Sequence, residues 1–214
     1  MTMQPAAGIE VSAFRWVPPF AQGYVRDLRV RWALEEAGMA YGAALVDQQL
    51  CASPDYRRWQ PFGQVPAYRD GELELFESGA IVLHIAAKSA APAPSDEAGR
   101  ARVTAWVIAA FNSVEPFAQM VIQLKESRAE ALLNSRLSAL STWLDGNEYL
   151  EGRRFTASDL IMTTVLRELV NSGTLAKFPV LDAYRQRCEA RPAFRRALEA
   201  QLKVFRDNAP AANA

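Results

Sequence analysis

The stretch from Gln64 to Ala80, QVPAYRDGELELFESGA, constrains the fold more than any other part of the chain. Proline has no N–H to give a β-ladder, so Val65-Pro66 marks the place where a strand begins. The Val65–Pro66 peptide is also of the kind that tolerates the cis form. The strand over Val65 to Tyr68 is followed by a turn, Arg69-Asp70-Gly71, and by a second short run, Leu73 to Phe76, so the two read as a hairpin. Glu77-Ser78 then stands before the apolar run Ala80-Ile81-Val82. That places a carboxylate and a hydroxyl at a helix N-terminus, where open backbone N–H groups and the helix dipole can hold the polar ends of a ligand.

The rest of the first 88 residues alternates in the same way. Val11 to Val17 is rich in β-branched and aromatic residues and reads as a strand ended by Pro18-Pro19. Tyr24 to Ala37 carries apolar residues at helical spacing and stops at Gly38, and Tyr41 to Val46 reads as a further strand. The region through Ser53-Pro54 to Pro61 has no clear pattern, and Ser78 to Lys88 reads as a helix. The order β-α-β-(α)-β-β-α resembles a thioredoxin-like α/β domain over residues 1–88. Residues 89–97, SAAPAPSDE, form a Pro/Ala/Ser-rich linker. Beyond it only helical patterns occur, over Glu97–Glu115, Glu126–Leu144, Ala157–Asn171, Leu181–Glu189 and Pro192–Arg206. The expected layout is therefore an all-helical bundle domain over 98–206 and a disordered tail over 207–214. Thr156-Ala157-Ser158-Asp159 is a capping box, with Phe155 and Leu160 placed as a hydrophobic staple.

Composition removes several function classes. Twenty-four basic and 24 acidic residues cancel, leaving no field to hold nucleic acid or an anionic membrane. No apolar run approaches the ~20 residues of a membrane span. The first residues, MTMQPAAGIE, lack the basic and apolar regions of a targeting segment. Cys51 and Cys188 are isolated, which fits a reducing cytoplasm and no metal site. His84 is the single histidine and reads as a packed residue among Ala80, Ile81 and Ile85.

The Gln-Val-Pro and Glu-Ser elements at this spacing, the FTASDL run and the Arg191-Pro192-Ala193-Phe194 run together resemble the glutathione S-transferase family, in its bacterial cytosolic form, over most of the chain. The resemblance implies that Gln64, Val65 and Pro66 meet the cysteinyl and glycyl parts of glutathione, and that Glu77 and Ser78 hold its γ-glutamyl end. It implies glutathione as cosubstrate, no metal, a homodimer, and conjugation or reduction of small hydrophobic electrophiles of the detoxification type. Family members lower the pKa of the glutathione thiol with a donor after the first strand, because the thiolate is the nucleophile. Trp16 to Asp27 contains no serine or cysteine. Tyr24 falls where serine-type members keep the catalytic hydroxyl, with Gln22 and Arg26 as further thiol-side groups. The electrophile pocket is expected between the domains at Ala110, Phe111 and Ser113, with Trp106 and Val114 in the bundle core. The missing serine or cysteine keeps two alternatives open: a glutathione-binding or regulatory protein without catalysis, and a glutathione-dependent isomerase, dehalogenase or thiol lyase.

Overall fold

The computed structural model describes residues 8–89, 94 and 96–210. They form two compact units, residues 8–85 with 192–210 and residues 86–191, less the undescribed positions near 90–95.

The first unit is built on a four-stranded sheet. Its strands are β1 (Ile9–Phe14), β2 (Tyr41–Val46), β3 (Ala67–Asp70) and β4 (Leu73–Phe76), in the spatial order β2-β1-β3-β4. β1 and β2 run parallel from Ile9↔Tyr41 to Phe14↔Val46, while β3 lies antiparallel to both β1 and β4. The parallel pair needs a crossover, and α1 (Asp27–Ala37) supplies it. Gly38 ends α1 at φ 66°, a left-handed stop that glycine adopts without strain. α4 (Ser78–Lys88) follows β4 and buries Ile81, Val82 and Ile85. This is the thioredoxin-like arrangement.

β2, β4 and α4 occupy the spans expected from sequence. β1 lies two to three residues earlier than expected: Arg15 N–H makes a last bond to Val46 C=O at 2.8 Å, and the residues after it leave the ladder for a loop. α1 begins at Asp27 rather than Tyr24, since a 3₁₀ turn at Pro19–Ala21 and a further turn occupy the preceding segment. The region read as unpatterned holds two short helices, α2 (Gln48–Cys51) and α3 (Pro54–Trp59). Asp47 caps the first through Leu50 N–H at 2.8 Å. Ser53 caps the second through Tyr56 N–H at 3.2 Å, with Pro54 at the first helical position. Tyr56 and Trp59 pack with Val46, Cys51, Val65 and Ala67 in a small core of their own.

Sequence patterning assigned the last helix, α10 (Pro192–Asp207), to the helical domain. It packs instead on α1, where Trp32 and Phe194 meet edge to face at 4.8 Å. Periodicity marks an apolar stripe and does not say which surface that stripe will cover. α10 also runs into the expected tail: Asn208 N–H still bonds Val204 C=O at 3.2 Å, and residues 211–214 lie outside the described ones, as does most of the 89–97 linker.

The second unit contains α5 (Glu97–Ala109), α6 (Glu115–Leu124), α7 (Ser127–Leu144), α8 (Ala157–Glu168) and α9 (Pro179–Glu189). α5 and α6 are joined by a π-helical turn at Ala110–Val114. Pro116 cannot donate to the helical ladder, and the widened turn carries the helix past it, so the chain stays helical to Leu124 where the sequence suggested an end at Glu115. The joined helix is long and apolar enough by length and composition to span a bilayer, contrary to expectation. Here it packs on α7 and α8 and buries Val103, Val107, Ala110, Val114 and Ala118. The capping box forms at the start of α8: Thr156 N–H donates to Asp159 Oδ2 at 2.8 Å.

Candidate functional site

Three segments of the first unit emerge at one end of the sheet. Ala67 stands opposite Phe76, so the residues just beyond the hairpin ladder, Pro66 and Glu77, share that end. Val11 stands opposite Tyr68, which carries the C-terminal end of β1 to the same place. The loop from Arg15 to Arg26, the approach to β3, and the N-termini of α1 and α4 therefore converge. Two helix N-termini aimed at one region favour anionic groups there.

The approach to β3 is held from behind. The Val65–Pro66 peptide is cis. Tyr56 O–H donates to Gln64 C=O at 2.6 Å, and Ala67 N–H donates to Ser12 Oγ at 2.7 Å. The Ser12 and Tyr56 oxygens are 2.7 Å apart. The phenol proton is committed to Gln64, so the serine donates to Tyr56, and one unbroken chain of hydrogen bonds ties both ends of Gln64–Ala67 to β1 and α3. The buried Gln60 adds a second brace, its Oε1 accepting from Phe62 N–H (2.8 Å) and Gln64 N–H (3.1 Å). Gln64 keeps its side chain exposed, while Val65 and Pro66 are buried.

Glu77 has φ 69°. A non-glycine residue in the left-handed region is strained, and such strain concentrates where function requires it. Its C=O accepts from Ile81 N–H at 3.0 Å, so Glu77 caps α4 and Ser78 is the first helical residue. The carboxylate thus stands at the cap, outside the first turn, and the hydroxyl just inside it. The buried Ser78 Oγ instead accepts from Arg29 Nη1 of α1 at 3.3 Å. With the arginine on its lone pair, the serine hydroxyl keeps its proton for another acceptor.

In the loop after β1, Tyr24 is half-buried and lies in a turn three residues ahead of α1, its N–H bonded to Ala21 C=O at 3.1 Å. Gln22 Nε2 donates to Val17 C=O at 3.0 Å, which makes it a brace within the loop. Arg26 is exposed at the cap of α1. Cys51 and Cys188 are buried, and burial pushes their thiols up to about 11 and about 12, so neither supplies a thiolate near neutral pH. His84 lies against the Tyr68 ring, edge to face at 5.8 Å, as a packed residue.

Ala110, Phe111 and Ser113 sit on the π turn of the helical unit. Ala110 is wholly buried and offers no surface to a ligand, whereas Phe111 and Ser113 are half-buried. No group of three or more metal-ligating side chains occurs among the described residues. An open cavity of about 560 Å³ is lined by Arg31, Glu35, Met39, Tyr41, Arg196 and Ala200. It borders Gly38 and Tyr41, at the opposite end of the sheet from Pro66 and Glu77, and takes no part in this site.

Sequence reasoning missed Ser12, Arg29, Tyr56 and Gln60. Only Tyr56 had a local signal, since Ser53-Pro54-Asp55 is a helix start. Ser12 and Arg29 act through contacts distant in sequence, and Gln60 through backbone N–H groups two and four residues on that no side-chain pattern marks.

Residues 21–87 match the family model for the glutathione S-transferase N-terminal domain, and residues 116–192 match that for the C-terminal domain. Glutathione S-transferase 3 of Zea mays is 30% identical over 197 residues, spanning 81% of this chain and 88% of that one. A glutathione transferase from Burkholderia graminis, solved with two glutathione molecules per subunit, superposes with a TM-score of 0.78 at 23% identity, over 91% of this chain and 88% of that chain. Ure2p in complex with glutathione superposes with a TM-score of 0.78 at 20% identity, over 92% and 95% of the two chains.

Proposed function

As the chain belongs to the glutathione S-transferase family, we propose that it binds glutathione where Pro66, Glu77 and Ser78 meet, and that it directs the bound thiolate at small hydrophobic electrophiles. The observation that carries this reading is the left-handed Glu77 beside the buried Ser78 at the N-terminus of α4. Strain at an exposed carboxylate adds nothing to the fold, but it aims one negative group and one hydroxyl donor at the same point. A γ-glutamyl end needs both: Glu77 for its ammonium, Ser78 and the α4 N-terminus for its carboxylate. Val65 lies just outside the β3 ladder, so its backbone can pair with the cysteinyl residue in the manner of an added strand. Gln64 extends toward the remaining polar end.

The sulfur then faces the N-terminus of α1, whose dipole favours the anion. Tyr24 is the group we assign as thiolate donor, with Gln22 bracing its loop and Arg26 adding positive charge. The thiolate attacks the electrophilic carbon, a C–S bond forms, and the leaving group departs with the bonding pair. Phe111 and Ser113 are assigned to the apolar cosubstrate. Phe62 (64% exposed) and Phe76 (38% exposed) meet edge to face at 6.1 Å, an exposed aromatic pair of the kind a homodimer would cover. A second reading, binding without catalysis, is favoured by one observation: no serine or cysteine lies between Trp16 and Asp27.

Titration calorimetry with glutathione tests the binding, and no saturable heat at millimolar glutathione would sink it. Thiolate absorbance of the bound tripeptide separates the two readings. Catalysis requires a thiol pKa at least about one unit below the ordinary ~8.5, whereas an unshifted thiol means a binding protein. In Tyr24→Phe the bound thiol returns toward its free value with glutathione affinity retained. An unchanged pKa removes Tyr24 from the mechanism.

A further inference from the structure

The buried face of α10 carries Ala193, Phe194, Ala197, Gln201 and Phe205. Four of these are apolar, and Gln201, fully enclosed at 0% exposure, is the polar exception. Its Nε2 donates to Asp27 Oδ1 at 2.6 Å and to Val25 C=O at 3.1 Å. Its Oε1 is buried without a hydrogen-bond partner. An orphaned amide oxygen in a core lowers stability, and a leucine at this register would avoid that cost. The amide is explained by what its other end holds.

Val25 and Asp27 lie one and three residues after Tyr24. Asp27 is wholly buried at the first position of α1, where its second oxygen accepts from Arg31 Nε at 2.7 Å. The groups around this carboxylate are Arg31 on α1, Gln201 on α10 and, beyond Arg31, Tyr41 on β2. Together Gln201 and Arg31 turn the charge of Asp27 inward. A carboxylate released from that position would stand at the same helix terminus that is to favour a thiolate, and like charges there oppose each other.

We propose that Gln201 is a positioning residue for the thiol-facing segment Gln22–Asp27, which makes the last helix part of the thiol site. This rests on the glutathione reading above. Gln201 touches no part of the approach to β3 or the Glu77–Ser78 turn, so its loss affects the thiol and not the hold on the tripeptide.

The test compares wild type with Gln201→Leu, whose apolar side chain suits the stripe. In the variant the bound thiol becomes less acidic by about threefold to tenfold, half to one pKa unit, while the glutathione dissociation constant changes by less than about twofold. Turnover falls with KM for glutathione unchanged, and amide exchange in residues 22–27 accelerates with 60–78 unaffected. Gln201→Asn withdraws the amide by one methylene, so the same readouts apply to it should the leucine variant not fold. An unaltered thiol pKa in a variant that still binds glutathione overturns the inference and leaves the functional reading standing. A wild-type protein that does not bind glutathione, or binds it without shifting the thiol, overturns the proposed chemistry and this inference with it.

Discussion

Asp159→Ala destabilises the protein by about 4 kcal/mol and lowers the melting temperature by about 12 °C, at roughly 3 °C per kcal/mol for a chain of this size. The carboxylate is buried at the first turn of α8 and serves more than the cap. Its Oδ2 accepts from Thr156 N–H (2.8 Å) and Thr156 O–H (3.1 Å), and its Oδ1 from Leu150 N–H (2.8 Å) and Tyr184 O–H (2.9 Å). One side chain thus ties α8 to the turn before it and to α9. Alanine would leave donors from three residues inside the protein with nothing to bond, and each buried orphan costs about 1–3 kcal/mol. Burial raises the Asp159 carboxyl above its ordinary range, and the donors pull against that rise. Asp159→Asn recovers only part of the loss, since its amide nitrogen faces a donor. Thermal unfolding followed by circular dichroism decides the matter, and a drop below about 3 °C would show that the network contributes little beyond an ordinary cap.

Tyr56→Phe weakens glutathione binding by about tenfold and costs about 2 kcal/mol of stability. The substitution keeps the ring in its small core and removes one oxygen. That oxygen is the middle of the chain from Ala67 N–H through Ser12 to Gln64 C=O, so its loss leaves the buried Ser12 hydroxyl and the Gln64 carbonyl without this link. Burial pushes the Tyr56 phenol well up, so it remains a protonated donor far above neutral pH. The segment it steadies is the one assigned to the cysteinyl backbone of the ligand. Ser12→Ala should cost a similar amount. The double variant should cost clearly less than the two single losses added, because both act through one chain. Full additivity, or glutathione affinity unchanged in Tyr56→Phe, would mean that this network does not support the ligand.

What could be read from sequence was whatever depends on near neighbours. β4 and α4 fall on their expected spans because Gly71 and the Glu77-Ser78 start are local punctuation, whereas β3 begins past Pro66, at Ala67 rather than Val65, and extends through Arg69 and Asp70, which the sequence placed in the turn. The two conspicuous elements of the proposed ligand site belong to this group. Tyr24 suits the apolar spacing of α1 and so reads as its first residue, whereas the fold spends Gln22–Arg26 on turns. The π turn hid behind Pro116, which reads as a helix stop unless the preceding turn widens. The supports of the site were illegible because their partners are remote. Arg29 reaches Ser78 across 49 residues, Ser12 reaches Tyr56 across 44, and Gln201 reaches Asp27 across 174. No spacing rule connects such positions until a backbone brings them together.

The return of α10 to the first unit bears on how this chain is born. Residues 8–85 leave the ribosome well before the helix that covers Trp32, with the whole of 86–191 made in between. Residues 86–191 form a contiguous unit that can close during synthesis, since each piece they need has already been made. The sheet unit must wait with one flank of α1 uncovered until α10 has been made. A message cut short after Arg191 would therefore yield an intact helical unit joined to a sheet unit that lacks its final layer.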